Sequence, residues 1–435
     1  MASFPVRAED AVFLHAQTVR CPQQVGAVVM LNGPGVDLAG LRSSVAARVG
    51  QLPQLRRRLI PPRSRWTRPR WVIDAAVDVD ARVTEATADA GTPRSLEQVV
   101  GQYFAEPVDP GAAAWQLLLV HTGFGGPSAI VVKAHHALGD SFALIATLSG
   151  LFDPQVSGPT GSGAKGSPLD SGPRQKRRAA RGNIAITVLR VARGLAGMAL
   201  TGPPAPISVA GGVADGRREF TAISLDAKTA AARARLLRAG VADLVLAVAA
   251  DAIGRLMAGR GQPTVGRRVR AMVPRSLRVA GPAGRDSAGP ENRTAGVLLD
   301  LPIGPMSLAE RVAAVRAVRQ ARLRRGDVDA SAFVLRAMNL LPPPLQRVIA
   351  RTAFTSRRFS LIVSVFPGTR QPRQLLGAQV TDVFPVLALA DGVGLALGAM
   401  TWGQSLSIGI MADPALIPDA ALLAAGIRDA FAVSG

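Results

Sequence analysis

The sequence predicts an α/β chain of mixed sheets and helices in two lobes. Three observations carry this. The chain has 435 residues, too long for one ordinary core. Short apolar runs with strand patterning alternate with stretches of helical spacing along most of its length. Between the two halves, over residues 154–217, the composition shifts to Gly, Ser and Pro and then to Arg and Lys, the signature of a crossover linker. This divides a first lobe, 1–153, from a second, 218–435. With 48% hydrophobic but only 4% aromatic residues, both cores must be built mainly of Ala, Val and Leu.

In the first lobe a helix is expected from Glu9 and Asp10 through Phe13 and Leu14. Val25–Leu31 reads as a buried strand, ended by the turn chemistry of Asn32, Gly33, Pro34 and Gly35. Leu38–Leu52 has helical spacing. Trp71–Ile73 and Val77–Val83 read as short strands, and Ser95–Phe104 as a helix. Gln116–His121 and Ser128–Ala134 read as paired strands joined by a turn at 123–126. A helix should start at Gly139 and Asp140 and carry Phe142, Leu144, Ile145 and Leu148. Residues 154–175 read as a flexible linker, followed by the basic cluster Arg174, Lys176, Arg177, Arg178 and Arg181 and an apolar helix over 184–200. That helix can lie in a membrane interface or pack on the second lobe as a crossover. In the second lobe, strands are expected at 219–225, 269–273, 297–301, 360–366, 383–389, 393–401 and 405–411. Helices are expected at 226–237, 241–257 and 308–325. The uncharged windows 110–132 and 392–412 are broken by Gly, Ser, Thr or Gln and read as strand pairs, which excludes a membrane-spanning helix there.

The net charge is +21. A positive field favours anionic partners such as cofactor phosphates, lipid headgroups or nucleic acid. The basic residues are spread along the chain and form no nucleic-acid module, and aromatic stacking platforms are scarce, so no specific nucleic-acid partner is expected. The single cysteine, Cys21, excludes an internal disulfide and a cysteine-based metal site. The opening stretch MASFPVRAEDAVFLHAQ lacks the cationic start and apolar run of an export signal. A cytoplasmic location, peripheral at the inner membrane or at lipid inclusions, is expected.

The chemistry-bearing segment is Ala134-His135-His136-Ala137-Leu138-Gly139-Asp140-Ser141, at a strand-to-helix junction. Such junctions present side chains to a cleft on a rigid frame. Histidine needs little tuning to serve as a general base near neutral pH. Asp140 can hold the local turn through an arginine elsewhere in the fold, and so orient the imidazole. Alternative readings are a structural pair or a metal site. Neighbours on a strand point to opposite faces and no third ligand is evident, which weakens the latter. No G-x-S-x-G elbow, phosphate-binding loop or dinucleotide fingerprint occurs.

The H-H-x-x-x-D segment resembles the catalytic motif of the CoA-dependent acyltransferase superfamily, which includes chloramphenicol acetyltransferase and the condensation domains of peptide synthetases. Further matches narrow the resemblance to the bacterial wax ester synthase/diacylglycerol acyltransferase family. Asp10-Ala11-Val12-Phe13-Leu14, Pro22 with Val25-Gly26-Ala27, Leu55–Leu59, Trp71–Asp74, Asp243–Ala247 and Val273–Arg278 resemble its elements in the same order across nearly the whole chain. The resemblance implies a two-lobed, chloramphenicol acetyltransferase-like or condensation-domain-like fold with a central tunnel. It implies acyl transfer from acyl-CoA, or an acyl carrier protein, to a hydroxyl or amine. The acceptor would be a fatty alcohol, a diacylglycerol or a specialised metabolite; the alternative is a non-catalytic lipid- or acyl-binding member of the fold. His136 would take the acceptor's proton, with His135 beside it and Asp140 structural. No acyl-enzyme and no permanently bound cofactor or metal are expected. Ser141 stands where the family has Gly, Ala113-Ala114-Trp115 where it has P-L-W, Ala242 for the Asn before the helix Asp, and Val365–Thr369 for N-V-P-G-P. Glu291-Asn292 stands in for its G-N element.

Overall fold

The computed structural model describes residues 3–432 apart from 34, 89–94, 123–127, 141–143, 145, 146, 148, 149, 151–183, 209–211, 278–291, 293, 370 and 372. The chain begins with strand β1 (Ser3–Pro5) and helix α1 (Ala8–Ala16). Strand β2 (Gln24–Asn32) follows, then helix α2 (Leu38–Val49), capped by the Asp37 carboxylate on the Gly40 N–H. A 3-10 turn at Pro53–Arg56 leads into β3 (Arg57–Ile60), β4 (Arg70–Ile73) and β5 (Val83–Thr87). Helix α3 (Leu96–Ala105) starts with a reciprocal Ser95/Gln98 capping box. Then come β6 (Trp115–His121), β7 (Ser128–His135) and a single 3-10 turn, His136–Leu138.

The second half holds α4 (Ile184–Ala199), β8 (Glu219–Asp226), α5 (Ala227–Leu236), α6 (Val241–Gly259), β9 (Arg268–Ser276) and β10 (Thr294–Pro302). Three helices follow: α7 (Leu308–Arg325), α8 (Asp327–Ala337) and α9 (Pro343–Ala353). Strands β11 (Leu361–Thr369), β12 (Gln374–Leu375), β13 (Ala378–Val386), β14 (Leu395–Trp402) and β15 (Ser405–Ala412) then precede α10 (Ala420–Ala432). Helix α7 stops at Gly326, whose φ of 95° is open to glycine at little cost.

Two six-stranded mixed sheets form the frame, in the orders β12-β13-β2-β7-β6-β5 and β10-β9-β11-β14-β15-β8. The first sheet is not made of first-half residues alone. β13 runs antiparallel to β2, with Val386 opposite Gly26, and carries β12 on its outer edge, so the second half lends two strands to the first sheet. In return α3 packs on β8, where the Glu97 carboxylate accepts the Ala222 N–H at 3.1 Å. A Cβ at Gly26 would lie 1.7 Å from the Val132 carbonyl oxygen, so the β2–β7 contact leaves no room for a side chain there. Buried Asp243, at the head of α6, receives both guanidinium donors of Arg319 on α7 at 2.6 and 2.8 Å. Helix α4 lies against α8, with Arg190 paired to Asp329 at 2.8 Å, as the crossover reading expects of its inner face.

The expected elements recur in order, with local corrections, and helices α8, α9 and α10 and strands β1, β3 and β12 stand where no element was expected. Val77–Val83 is not a strand. Asp78 accepts the Ala81 N–H and Val79 the Arg82 N–H, a turn that delays strand β5 until Val83. The strand expected at 383–389 lies earlier, at 378–386. Of the helix expected after Asp140, only Leu144 and Thr147 are described, both helical. The 154–175 linker, the basic cluster and the 123–126 turn lie outside the described residues. Among the described residues no helix is long and apolar enough to cross a membrane.

Candidate active site

Strand β7 is buried on both faces, as its near-continuous apolar run requires. Its one cation, Lys133, is sheltered by the Tyr103 and Glu106 carbonyls at 2.6 and 3.0 Å and by the Tyr103 ring, and burial lowers its pKa to about 8. The strand delivers His135 and His136 to the junction, and the backbone then gives them different environments. His135, the last strand residue, is only 1% exposed. Its Nδ1 accepts the Ala137 N–H at 3.1 Å, which assigns the ring proton to Nε2, the donor to Gln17 Oε1 at 2.7 Å. Burial, with the neighbouring His136, lowers its pKa to about 3, so it is a neutral, doubly bonded support.

His136 lies past the strand, on the 3-10 turn, and is partly exposed. Its ring stacks on Phe13 of α1 with centroids 3.6 Å apart and planes within 5°. Its N–H donates to the Gln23 carbonyl at 2.9 Å, and its own carbonyl accepts Asn292 Nδ2 at 3.1 Å. Nδ1 is enclosed and has no hydrogen-bond partner among the described residues. Burial holds the imidazole below its ordinary pKa of 6.5, against the opposing pull of its own and Gly139's backbone, the Asp140 charge and Asn292. The ring is therefore a neutral imidazole at neutral pH, the form a general base requires.

Asp140 is 1% exposed and accepts the Thr294 hydroxyl at 3.3 Å, while its backbone carbonyl accepts the Leu144 N–H at 2.9 Å. Thr294 of β10 ties this aspartate to the second sheet. Asn292 adds a second tie. Its backbone N–H and its Nδ2 both donate to Asp10 Oδ1, at 3.1 and 2.7 Å. Asn292 thus bridges Asp10 on α1 to the His136 carbonyl. Burial raises the Asp10 pKa to about 6 despite these hydrogen bonds.

The structure brings His136, His135 and Asp140 together and adds Asp10, Phe13, Gln17, Gln23, Asn292 and Thr294. Asp10 and Phe13 belong to the Asp10–Leu14 element, and Asn292 to the Glu291-Asn292 pair, so their sequence signal was present without its geometry. Gln17, Gln23 and Thr294 carried none. Cys21 is buried, its Sγ is 3.3 Å from the Leu389 carbonyl, and burial raises its pKa to about 11, which does not suit a nucleophile. A cavity of about 240 Å³ adjoins the support, lined by Asp10, Asn292, Thr294, Leu277 and Arg336 among others. A larger one of about 550 Å³ lies between the 18–21 loop, the 389–394 loop and Arg218. Neither is lined by His136. Among the described residues no group of three or more His, Cys, Asp or Glu could hold a metal.

Two sheets joined by strands lent from the second half, with an H-H-x-x-x-D turn where they meet, are the arrangement expected from the resemblance to CoA-dependent acyltransferases. The family models agree. Residues 6–252 match the wax ester synthase/diacylglycerol acyltransferase catalytic domain and residues 291–433 its C-terminal domain. The chain belongs to this family and is an O-acyltransferase. A probable diacylglycerol O-acyltransferase of Mycobacterium tuberculosis is 26% identical over 97% of this chain and 94% of its own length. A putative one from Mycobacterium bovis is 28% identical over 96% of this chain and 88% of its own. Among solved structures, the wax ester synthase/diacylglycerol acyltransferase of Marinobacter aquaeolei superposes with a TM-score of 0.66 at 17% identity, covering 99% of this chain and 98% of that one. The first condensation domain of the calcium-dependent antibiotic synthetase superposes with a TM-score of 0.63 at 18% identity, covering 99% and 96%. These likenesses show the two-lobed fold.

Proposed function

We propose that the protein transfers an acyl group from acyl-CoA to the hydroxyl of a fatty alcohol or diacylglycerol, with His136 as the general base. The observation that carries this is the placing of His136: a neutral, partly exposed imidazole just past a rigid strand, its ring stacked on Phe13 and its backbone held by Gln23 and Asn292. The nitrogen opposite the enclosed Nδ1, Nε2, takes the acceptor's hydroxyl proton as the oxygen attacks the thioester carbonyl. The tetrahedral intermediate collapses, the C–S bond breaks, and the imidazolium returns the proton to the departing CoA thiolate. No covalent enzyme intermediate is needed. His135 and Asp140 are positioning residues: one fixes the end of β7 through Gln17, the other ties the turn to Thr294. The acyl-CoA reading is supported by family membership and by a condensation-domain neighbour solved with C8-CoA. We place the enzyme on the cytoplasmic side of a lipid surface, where acyl-CoA and an apolar acceptor meet.

The test is release of CoA thiol from a long-chain acyl-CoA with a long-chain alcohol, a diacylglycerol and an amine offered separately. His136→Ala should lower turnover by about 10²–10⁴-fold, the usual worth of a positioned base. Undiminished turnover in that variant would remove the role assigned to His136. Turnover confined to the amine would overturn the lipid-alcohol reading.

A further inference from the structure

Helices α8 and α9 and the 3-10 turn between them form an arch over α1, the helix whose Phe13 stacks on His136. The inner side of the arch is packed: Met338 and Ala350 are buried with Ala8 and Val12, and Leu335, Ile349 and Phe354 close around them. The outer side is not. Phe333, Leu340, Leu345 and Val348 are 51%, 88%, 50% and 59% exposed. The loop after β3 adjoins this arch, because Arg68 donates to the Asn339 carbonyl. That loop presents Trp66, 58% exposed, and the exposed prolines Pro61 and Pro62. A cluster of large exposed apolar side chains on adjoining elements is unusual for a surface that faces only water.

Arginine predominates around it, the acids being Asp327 and Asp329 in the first turn of α8 and Glu9, which accepts from Asn339 of the turn. From Ala330 to Thr381 the chain contains no Asp or Glu, while Arg336, Arg347, Arg351, Arg357 and Arg358 are all exposed. From Arg57 to Ile73 there is again no acid, and Arg63, Arg65 and Arg70 are exposed, with Arg65 stacked over Trp66. Apolar side chains rimmed by arginine, with an indole among them, match the chemistry of an anionic lipid–water interface. We infer that the α8–α9 arch and the 61–68 loop form the face by which this protein docks on an anionic lipid surface. The inference rests on the lipid-acceptor reading and says which side of the molecule meets the lipid. Arg336 stands three residues from Phe333 on α8 and also lines the cavity beside Asp10 and Asn292, so docking would bring headgroups to the side of the molecule that supports His136.

The test is co-sedimentation with vesicles of phosphatidylcholine, alone or mixed with phosphatidylglycerol. Wild type should bind the mixed vesicles, and less in high salt. Leu340→Ser/Leu345→Ser should weaken binding by about tenfold or more per leucine, from lost apolar burial. Arg65→Glu/Arg347→Glu should weaken it by at least about fivefold per arginine. Leu236→Ser, which removes an apolar side chain 82% exposed on α5, should bind as wild type and keeps the test specific to the arch. All variants should retain wild-type release of CoA from a short-chain acyl-CoA with a water-soluble alcohol, which also shows that they fold. Failure of wild type to bind mixed vesicles, or equal binding by the leucine and arginine variants, overturns the docking face. So does a wild-type dimer in solution that the leucine variant converts to monomer without loss of vesicle binding. Vesicle binding without CoA release by wild type would leave the docking face standing and overturn the catalytic reading.

Discussion

Replacing Asp10 by Asn should make the protein more stable at neutral pH, and the size of the effect follows from its surroundings. The Asp10 carboxyl is 4% exposed and accepts two hydrogen bonds from Asn292, yet burial outweighs them and lifts its pKa from 3.8 to about 6. An acid whose pKa is higher folded than unfolded binds its proton more tightly in the folded state. Its contribution is fully present below pH 3.8 and is lost as the pH rises through about 6. Each pKa unit is about 1.4 kcal/mol, so ionisation of Asp10 costs the fold about 3 kcal/mol by pH 7.5. An amide at this position keeps an oxygen for Asn292 Nδ2 and carries no charge. Thermal melts of wild type and Asp10→Asn across pH 4 to 8 read the difference. The curves should lie close together near pH 4, and the variant should melt about 3 °C higher at pH 7.5, scaled for a chain of this length. Parallel curves, or a wild type that gains on the variant as pH rises, would show that the Asn292 hydrogen bonds outweigh burial and would refute the reasoning. Activity can move the other way, because the carboxylate anchors the asparagine that holds the His136 carbonyl.

Three further outcomes are expected. Phe13→Ala removes the ring stacked on His136, worth about 0.5–1.5 kcal/mol as a ring pair, and should lower kcat by about tenfold with little change in KM; Phe13→Tyr should restore the rate, and a rise in KM alone would assign Phe13 to substrate binding instead. Cys21→Ser should leave CoA release unchanged, since the buried thiol is held protonated and the hydroxyl keeps a donor toward Leu389; a hundredfold loss would return the thiol to the chemistry. Arg218 pairs with Asp413 at 3.4 Å, both nearly inaccessible, and also donates to the Arg20 carbonyl. Arg218→Met strands the carboxylate and should cost about 3–5 kcal/mol in denaturant unfolding, less in mild acid where Asp413 can take a proton; a cost under about 1 kcal/mol would show that the pair is not needed.

Most elements were legible because their signals are local. Val25–Leu31 and Ser128–Ala134 are apolar runs with strong turn chemistry or a polar break at their ends, and Ser95 caps its helix within three residues. The misreadings have physical causes too. Val77–Val83 alternates like a strand, but Asp78 and Val79 capture the N–H groups of Ala81 and Arg82 and turn the chain. Helices α8 and α9 were not read: α8 follows α7 with only Gly326 between them, and α9 starts inside a proline run, Pro342–Pro344. Their outward faces carry Phe333, Leu345 and Val348, which blurs the polar side that marks an amphipathic helix.

By itself the sequence determined the alternation of strands and helices, the junction that carries two histidines, and the motif order that marks the family. These depend on spacing within a few residues, or on resemblance along the chain. Tertiary structure alone decided how differently the two histidines are held. β7 buries His135 at its last position, the next backbone step turns His136 out of the strand, and residues as distant as Phe13 and Asn292 clamp it there. It also decided that β12 and β13 complete the first sheet. Strand pairing and side-chain contact across hundreds of residues depend on how the packed sheets meet in space, and no local pattern of residue types encodes that.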